Sequence, residues 1–77
     1  MRVAAALALA RARGVDRLDA QLLLARRLGR PRSWLIAHDD ADLPAAAESA
    51  FIDDIARRAA GVPLAQLVGE REFHGLR

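Results

Sequence analysis

The sequence has no cysteine, which excludes disulfides and thiolate metal sites and fits a cytoplasmic setting. It has no threonine and only four valines and three isoleucines, against 18 alanines and 12 leucines. Alanine and leucine lead the helix propensities while β-branched residues favour strands, so the balance points to an all-α fold. Aromatics are scarce: one tryptophan, two phenylalanines and no tyrosine. Binding to single-stranded nucleic acid draws on several interleaved aromatic faces, and Trp34 alone does not supply them. No phosphate-cradling loop is present, since Gly69 to Gly75 matches neither G-x-G-x-x-G nor a Walker pattern. Ser33 and Ser49 are the two serines, and neither sits in a nucleophile elbow. The apolar-rich residues 2–12 fall far short of the ~20 needed to span a bilayer. Arg2, Arg11 and Arg13 flank them, and the alanines continue as a periodic helix, so no targeting signal is expected.

What is present fits one small domain, since 77 residues bury only a modest share of their surface. All 12 basic residues are arginine, which lifts the pI to about 11.0, yet the net charge is only +2. A general polyanion binder is not implied. The distribution along the chain is uneven. Residues 1–32 carry net +6, residues 33–56 net −6, and residues 57–77 net +2. The simplest expectation is that these segments attract each other within the fold.

Gly and Pro divide the chain into five helices. The first spans about 2–13, with Val3, Leu7 and Ala10 on one face and Gly14 at its end. Asp16 is placed to cap the second helix and Asp19 to favour its positive end; this helix runs to Leu28, where Gly29 stops it. Its apolar stripe reads as Leu18, Leu22 and Ala25, widened by Leu23 and Leu24. Pro31 opens a short third helix, about 31–38, holding Trp34 and Leu35. Asp42 is expected to cap the fourth, about 43–60, whose stripe is Ala47, Phe51, Ile55 and Ala59 with Ile52 beside it. Gly61 closes it, Pro63 opens a single-turn fifth helix to about Val68, and Gly69 closes that. Residues 70–77 read as an extended tail.

Candidate chemistry is sparse. His38, Asp39, Asp40 and Asp42 form the one dense set of metal-ligating types, but no glutamate closes the loop at the offset a hard cation needs, so a solvated loop is expected. His74 lies near Glu70 and Glu72 without a nucleophile or oxyanion donor, so no acid–base role follows. Arg26, Arg27, Arg30 and Arg32 cluster around the end of the second helix, where cations complement the helix dipole. With the Arg57–Arg58 pair they are the candidate docking surface for an acidic partner or for nucleic acid, the alternative reading being a free-standing small helical nucleic-acid-binding module. No catalytic, cofactor-binding or metal residue is expected in this chain.

The stretch 57–75, RRAAGVPLAQLVGEREFHG, carries Arg57, Arg58, Gly61, Pro63, Leu67, Gly69, Phe73 and Gly75 at set spacings. This pattern resembles the end of the N-terminal domain of the HemK/PrmC family of protein-(glutamine-N5) methyltransferases. RLDAQLLLARRLG, residues 17–29, looks like that family's second helix, and SWLIAH, residues 33–38, its third. The second-helix likeness rests on Asp19, Leu22 and Leu23 among others. The resemblance covers essentially the whole chain. It implies a five-helix bundle over residues 1–69, with residues 70–77 starting a linking β-hairpin toward a methyltransferase domain. That further domain would bind S-adenosylmethionine and methylate a glutamine in the G-G-Q loop of a class 1 peptide-chain release factor. The bundle would help grip the release factor in the cytoplasm, as a monomer, without membrane or specific nucleic-acid contact. Gln66 and Val62 depart from the aromatic and acidic residues usual there, which bears on how the fifth helix packs. Gly61, Gly69 and Gly75 are expected to serve backbone geometry, and Leu22, Leu23, Phe51, Ile55 and Leu67 the core.

Overall fold

In the computed structural model, which describes residues 1–68, five helices follow one another through short turns. They are α1 (Val3–Ala12), α2 (Arg17–Leu28), α3 (Arg32–Ala37), α4 (Ala45–Ala59) and α5 (Leu64–Val68). The all-α bundle read from the sequence is the fold observed. The extended tail, with Gly69, Phe73 and Gly75, lies outside the described residues, as does His74.

α2 is the central element, since α1, α3, α4 and α5 all pack against it. A helix with neighbours on several sides needs a wide apolar arc. The run Leu22-Leu23-Leu24-Ala25 supplies part of it: Leu23 and Leu24 are wholly buried, with Ala20 and Ala25 beside them. The stripe read from sequence was rotated slightly too far. Leu18 and Leu22 lie just past the edge of the buried arc, so Leu22 is half-buried and Leu18 is 45% exposed. On α4 the error has the same form. Ala47, Phe51 and Ile55 are buried as expected, but Ala59 and Ile52 face solvent, and the buried arc turns instead toward Asp54. The reason is a polar contact between α4 and α2, described below.

Three helices end in one way. Beyond α4 the Val62 N–H donates to the Arg57 carbonyl at 3.1 Å and the Gly61 N–H to the Arg58 carbonyl at 3.1 Å. This paired closure satisfies carbonyls that the helix leaves without partners, and it needs one residue at positive φ. Gly61 takes φ 105°, and Gly14 and Gly29 do the same job after α1 and α2.

The helix starts differ. Asp16 caps α2, accepting from the Leu18 N–H at 3.2 Å, as its position predicts. Asp42 does not cap α4, which begins two residues later behind Pro44. Instead the segment 39–43 crosses the chain's first residues. The Val3 and Ala4 N–H groups donate to the Ala41 and Asp39 carbonyls, each at 2.9 Å, and the Leu43 N–H donates to the Met1 carbonyl at 2.9 Å. α1 has no side-chain cap, so this crossing fills two of its orphan donors. It also lets Leu43 reach the core at 7% exposure. Extended backbone through Pro44 is the cost of that placement, and it carries Asp42 away from the helix start. At α3 the shift is smaller: Pro31 sits one position before the first helical residue.

Candidate functional site

The six arginines singled out from sequence fall into two groups once folded. Arg27 and Arg58 tie α2 to α4. The Arg27 guanidinium grips Asp54 with both prongs: Nε donates to Oδ2 at 2.7 Å and Nη2 to Oδ1 at 2.8 Å. Asp54 is 1% exposed while the Arg27 side chain keeps 31%. The buried acid thus meets a cation that remains in touch with water. Two parallel charge-assisted bonds are a strong arrangement for a carboxylate that has lost its hydration. Arg58 Nε donates to Asp19 Oδ2 at 3.1 Å, and its Nη1 reaches the Val62 carbonyl at 3.4 Å. Asp19 therefore does more than favour the helix dipole: it joins the start of α2 to the end of α4.

Of the other four, Arg26, Arg30 and Arg32 make a basic face at the α2–α3 junction, and Arg57 sits apart near the end of α4. Arg32 donates through Nε and Nη2 to Oε1 of the buried Gln21, at 3.3 and 3.1 Å. The Arg30 guanidinium lies 5.3 Å from the centre of the Trp34 ring, and the Trp34 ring stacks on His38 with centroids 4.4 Å apart and planes 14° from parallel. Arg57 pairs with Asp53 one turn earlier at 3.1 Å, with both side chains over half exposed. Arg26 is half-buried. The opposed charges of residues 1–32 and 33–56 do meet in space, at Arg27–Asp54 and at the Met1 ammonium, which lies 2.7 Å from Glu48. No buried side-chain nitrogen or oxygen among the described residues lacks a partner.

The acidic loop is built as backbone structure. His38 Nδ1 lies 3.0 Å from the Trp34 carbonyl, and the Asp39 carbonyl serves α1. Among the described residues no group of three or more His, Asp or Glu is gathered as a metal site. None of their helices is long and apolar enough to cross a membrane. Among the described residues all regular elements are helices, with no parallel strand ends or Gly-rich strand-to-helix turn of the kind that holds a nucleotide-like cofactor.

Sequence reasoning missed two things. Asp54 and Gln21 are buried polar residues, and the sequence hint was a polar residue inside each apolar arc, three positions after Phe51 and three before Leu24 respectively. It also passed over Arg11 and Arg17, which line an open groove between α1 and α3.

Comparison with known proteins agrees with this architecture. A family model described as PrmC N-terminal domain matches residues 1–69. The chain is 52% identical over 73 residues to a release factor glutamine methyltransferase of Burkholderia pseudomallei, covering 95% of this chain and 26% of that protein. It is 48% identical over 62 residues to one of Bordetella pertussis, covering 80% and 23%, and 42% identical over 59 residues to one of Xylella fastidiosa, covering 77% and 22%. The chain thus spans about a quarter of the length of these relatives. No solved structure matches it.

Proposed function

The chain belongs to the PrmC N-terminal domain family, and on that premise we propose that it is the release-factor-holding domain of a release factor glutamine methyltransferase. The observation that carries this reading is the family match over residues 1–69 together with relatives that bear that name. The domain contributes by positioning. It grips a class 1 release factor so that the G-G-Q glutamine reaches a catalytic domain beyond this chain, where S-adenosylmethionine supplies the methyl group. Holding two reactants in register removes an entropic barrier without any chemistry by the holder. The reading places the protein in the cytoplasm, acting as a monomer, in translation termination.

The basic face is the first contact surface proposed. Arg30 and Arg32 at the α2–α3 junction, with Arg26, and separately Arg57 at the end of α4 would meet acidic surface on the release factor, while Arg27 and Arg58 hold α2 to α4. The test is the affinity of this chain for a purified class 1 release factor at two salt concentrations, with duplex DNA as the comparison. Binding to the release factor that weakens with salt, with little DNA retention, is the expected result. The triple reversal Arg30→Glu, Arg32→Glu and Arg57→Glu should lower that affinity and flatten its salt dependence. Steeply salt-dependent DNA binding without release-factor binding would instead make the domain a nucleic-acid module.

A further inference from the structure

Along the first half of α2, α1 and α3 leave an open groove that reaches Gln21, the partner of Arg32. Its walls are apolar and mostly small: Ala4, Leu7 and Ala8 from α1 face Leu35 and Ile36 from α3. Leu35 belongs to the core, but Ile36 is 64% exposed, the most exposed of the large apolar side chains described. Ile36 and the half-buried Leu7 give the groove an apolar lining that is open to solvent.

The charges around the groove are sorted by position. Arg11, near the end of α1, and Arg17, at the start of α2, line one end. Neither has an ion pair or side-chain hydrogen bond among the described residues, in contrast to Arg27, Arg32, Arg57 and Arg58. Asp16 lies between them, but its carboxylate is turned to the Leu18 N–H as the α2 cap. The far end is acidic: Asp39 lines it, fixed there because its carbonyl accepts from the Ala4 N–H. From Ala4 to Arg11 along α1 the groove is about 10 Å long, near two helical turns.

We infer that this groove is a docking site for a short amphipathic segment of the release factor, with carboxylates set against Arg11 and Arg17 and an aliphatic side chain over Leu7 and Ile36. The inference rests on the proposed function and deepens it. Charge complementarity fixes the occupant's polarity: acidic at the α1–α2 turn, basic or neutral toward Asp39. A two-turn segment of this kind buries the exposed isoleucine and pairs two guanidiniums that have no ion pair among the described residues, which steers association and fixes register.

The experiment compares release-factor affinity of the 77-residue chain with that of two groove variants, the double reversal Arg11→Glu, Arg17→Glu and the single change Ile36→Ser. Arg13→Glu, exposed but outside the groove, is the control, and far-UV circular dichroism checks that each variant keeps its helices. The double reversal should weaken binding roughly tenfold or more and reduce the salt slope, with Ile36→Ser costing several-fold and Arg13→Glu less than about twofold. Release-factor binding that survives both groove variants would overturn the groove and leave the proposed function standing. A native chain that binds no release factor would overturn both. Variants that leave binding intact but lower the melting temperature of the longer methyltransferase would assign the groove to another part of that protein, and also overturn the proposal.

Discussion

Removing Arg27 should damage this domain far more than removing an ordinary surface arginine. In Arg27→Met the aliphatic stem is kept and the guanidinium lost, leaving Asp54 at 1% exposure without its bidentate donor. Taking one partner from a fully buried pair costs about 3–5 kcal/mol, because the remaining charge is stranded. Here the Arg27 side chain is 31% exposed, so water can follow when it leaves, and about 2–3 kcal/mol is the better figure. A chain of 77 residues has roughly 4–12 kcal/mol of stability in all. The loss is therefore a large fraction of the total, equivalent to roughly 10–20 °C in melting temperature for a domain of this size.

The partners are not equivalent, and that sharpens the test. Asp54→Leu takes one partner from Arg27, whose head can turn to solvent, so about 1 kcal/mol is expected. The double variant Arg27→Met, Asp54→Leu replaces the pair with apolar contact and should recover to within about 1 kcal/mol of the native chain, or exceed it. Urea unfolding, followed by circular dichroism and by the emission of the single tryptophan, measures all four corners of this cycle. The reasoning is refuted if Asp54→Leu costs more than Arg27→Met. It is equally refuted if Arg27→Met costs no more than the ~0.5 kcal/mol expected for Arg57→Ala in the exposed Asp53 pair.

Three further outcomes are expected. Phe51→Ala, at a wholly buried site in α4, should cost about 3–5 kcal/mol, read as a lowered urea midpoint by circular dichroism. A Cβ added at Gly29 or Gly61 meets nothing within 4 Å, so substitution there is limited by backbone strain alone. Gly29 sits at φ 66°, inside the left-handed well that asparagine tolerates, and Gly61 at φ 105°, outside it. Gly61→Asn should therefore lower the urea midpoint more than Gly29→Asn. In a chain whose amino terminus is Met1, the hydrogen bond to Glu48 raises the ammonium above its ordinary 8.0. A folded-state pKa above the unfolded one gives stability that is full below the unfolded value and lost as pH rises through the folded value. The melting temperature should fall as pH rises above about 8, and Glu48→Gln should flatten that slope.

Much of this fold was legible because the helix ends are written in local chemistry. Gly14, Gly29 and Gly61 stop three helices by the one mechanism glycine supplies cheaply, and Asp16 starts α2 by a bond to a residue two positions on. The α4 start was misread because its determinant is not local. Asp42 is a good capping residue by type, but the burial of Leu43 and the crossing with Met1–Val3 decide where the chain goes, and these involve residues some forty positions apart. The helix faces were misread for a related reason. Periodicity ranks apolar residues only, so it drew the α4 face toward Ile52 and Ala59, whereas the helix is turned to set Asp54 and Arg58 against Arg27 and Asp19.

The same pairing explains why a basic cluster in sequence is a poor guide to a basic surface. Arginines at 26, 27, 30 and 32 stand out because they are adjacent, but adjacency at the end of the central helix is also where a bundle needs polar ties to its neighbours. Arg27 and Arg32 reach inward to Asp54 and Gln21, and Arg30 lies over Trp34. Each contact fixes a guanidinium that a partner would have to recruit away, at the cost of the tie it makes. Arg11 and Arg17 are separated in sequence by five residues, yet the α1–α2 turn brings both to the rim of one groove, where the acid between them in sequence, Asp16, is already in use as a cap. If recognition follows availability of charge and not its density along the chain, reversing Arg11 and Arg17 must weaken release-factor binding more than reversing Arg30 and Arg32. The opposite order would mean that the inward ties are loose enough to be broken on docking, and that the basic face is the true contact.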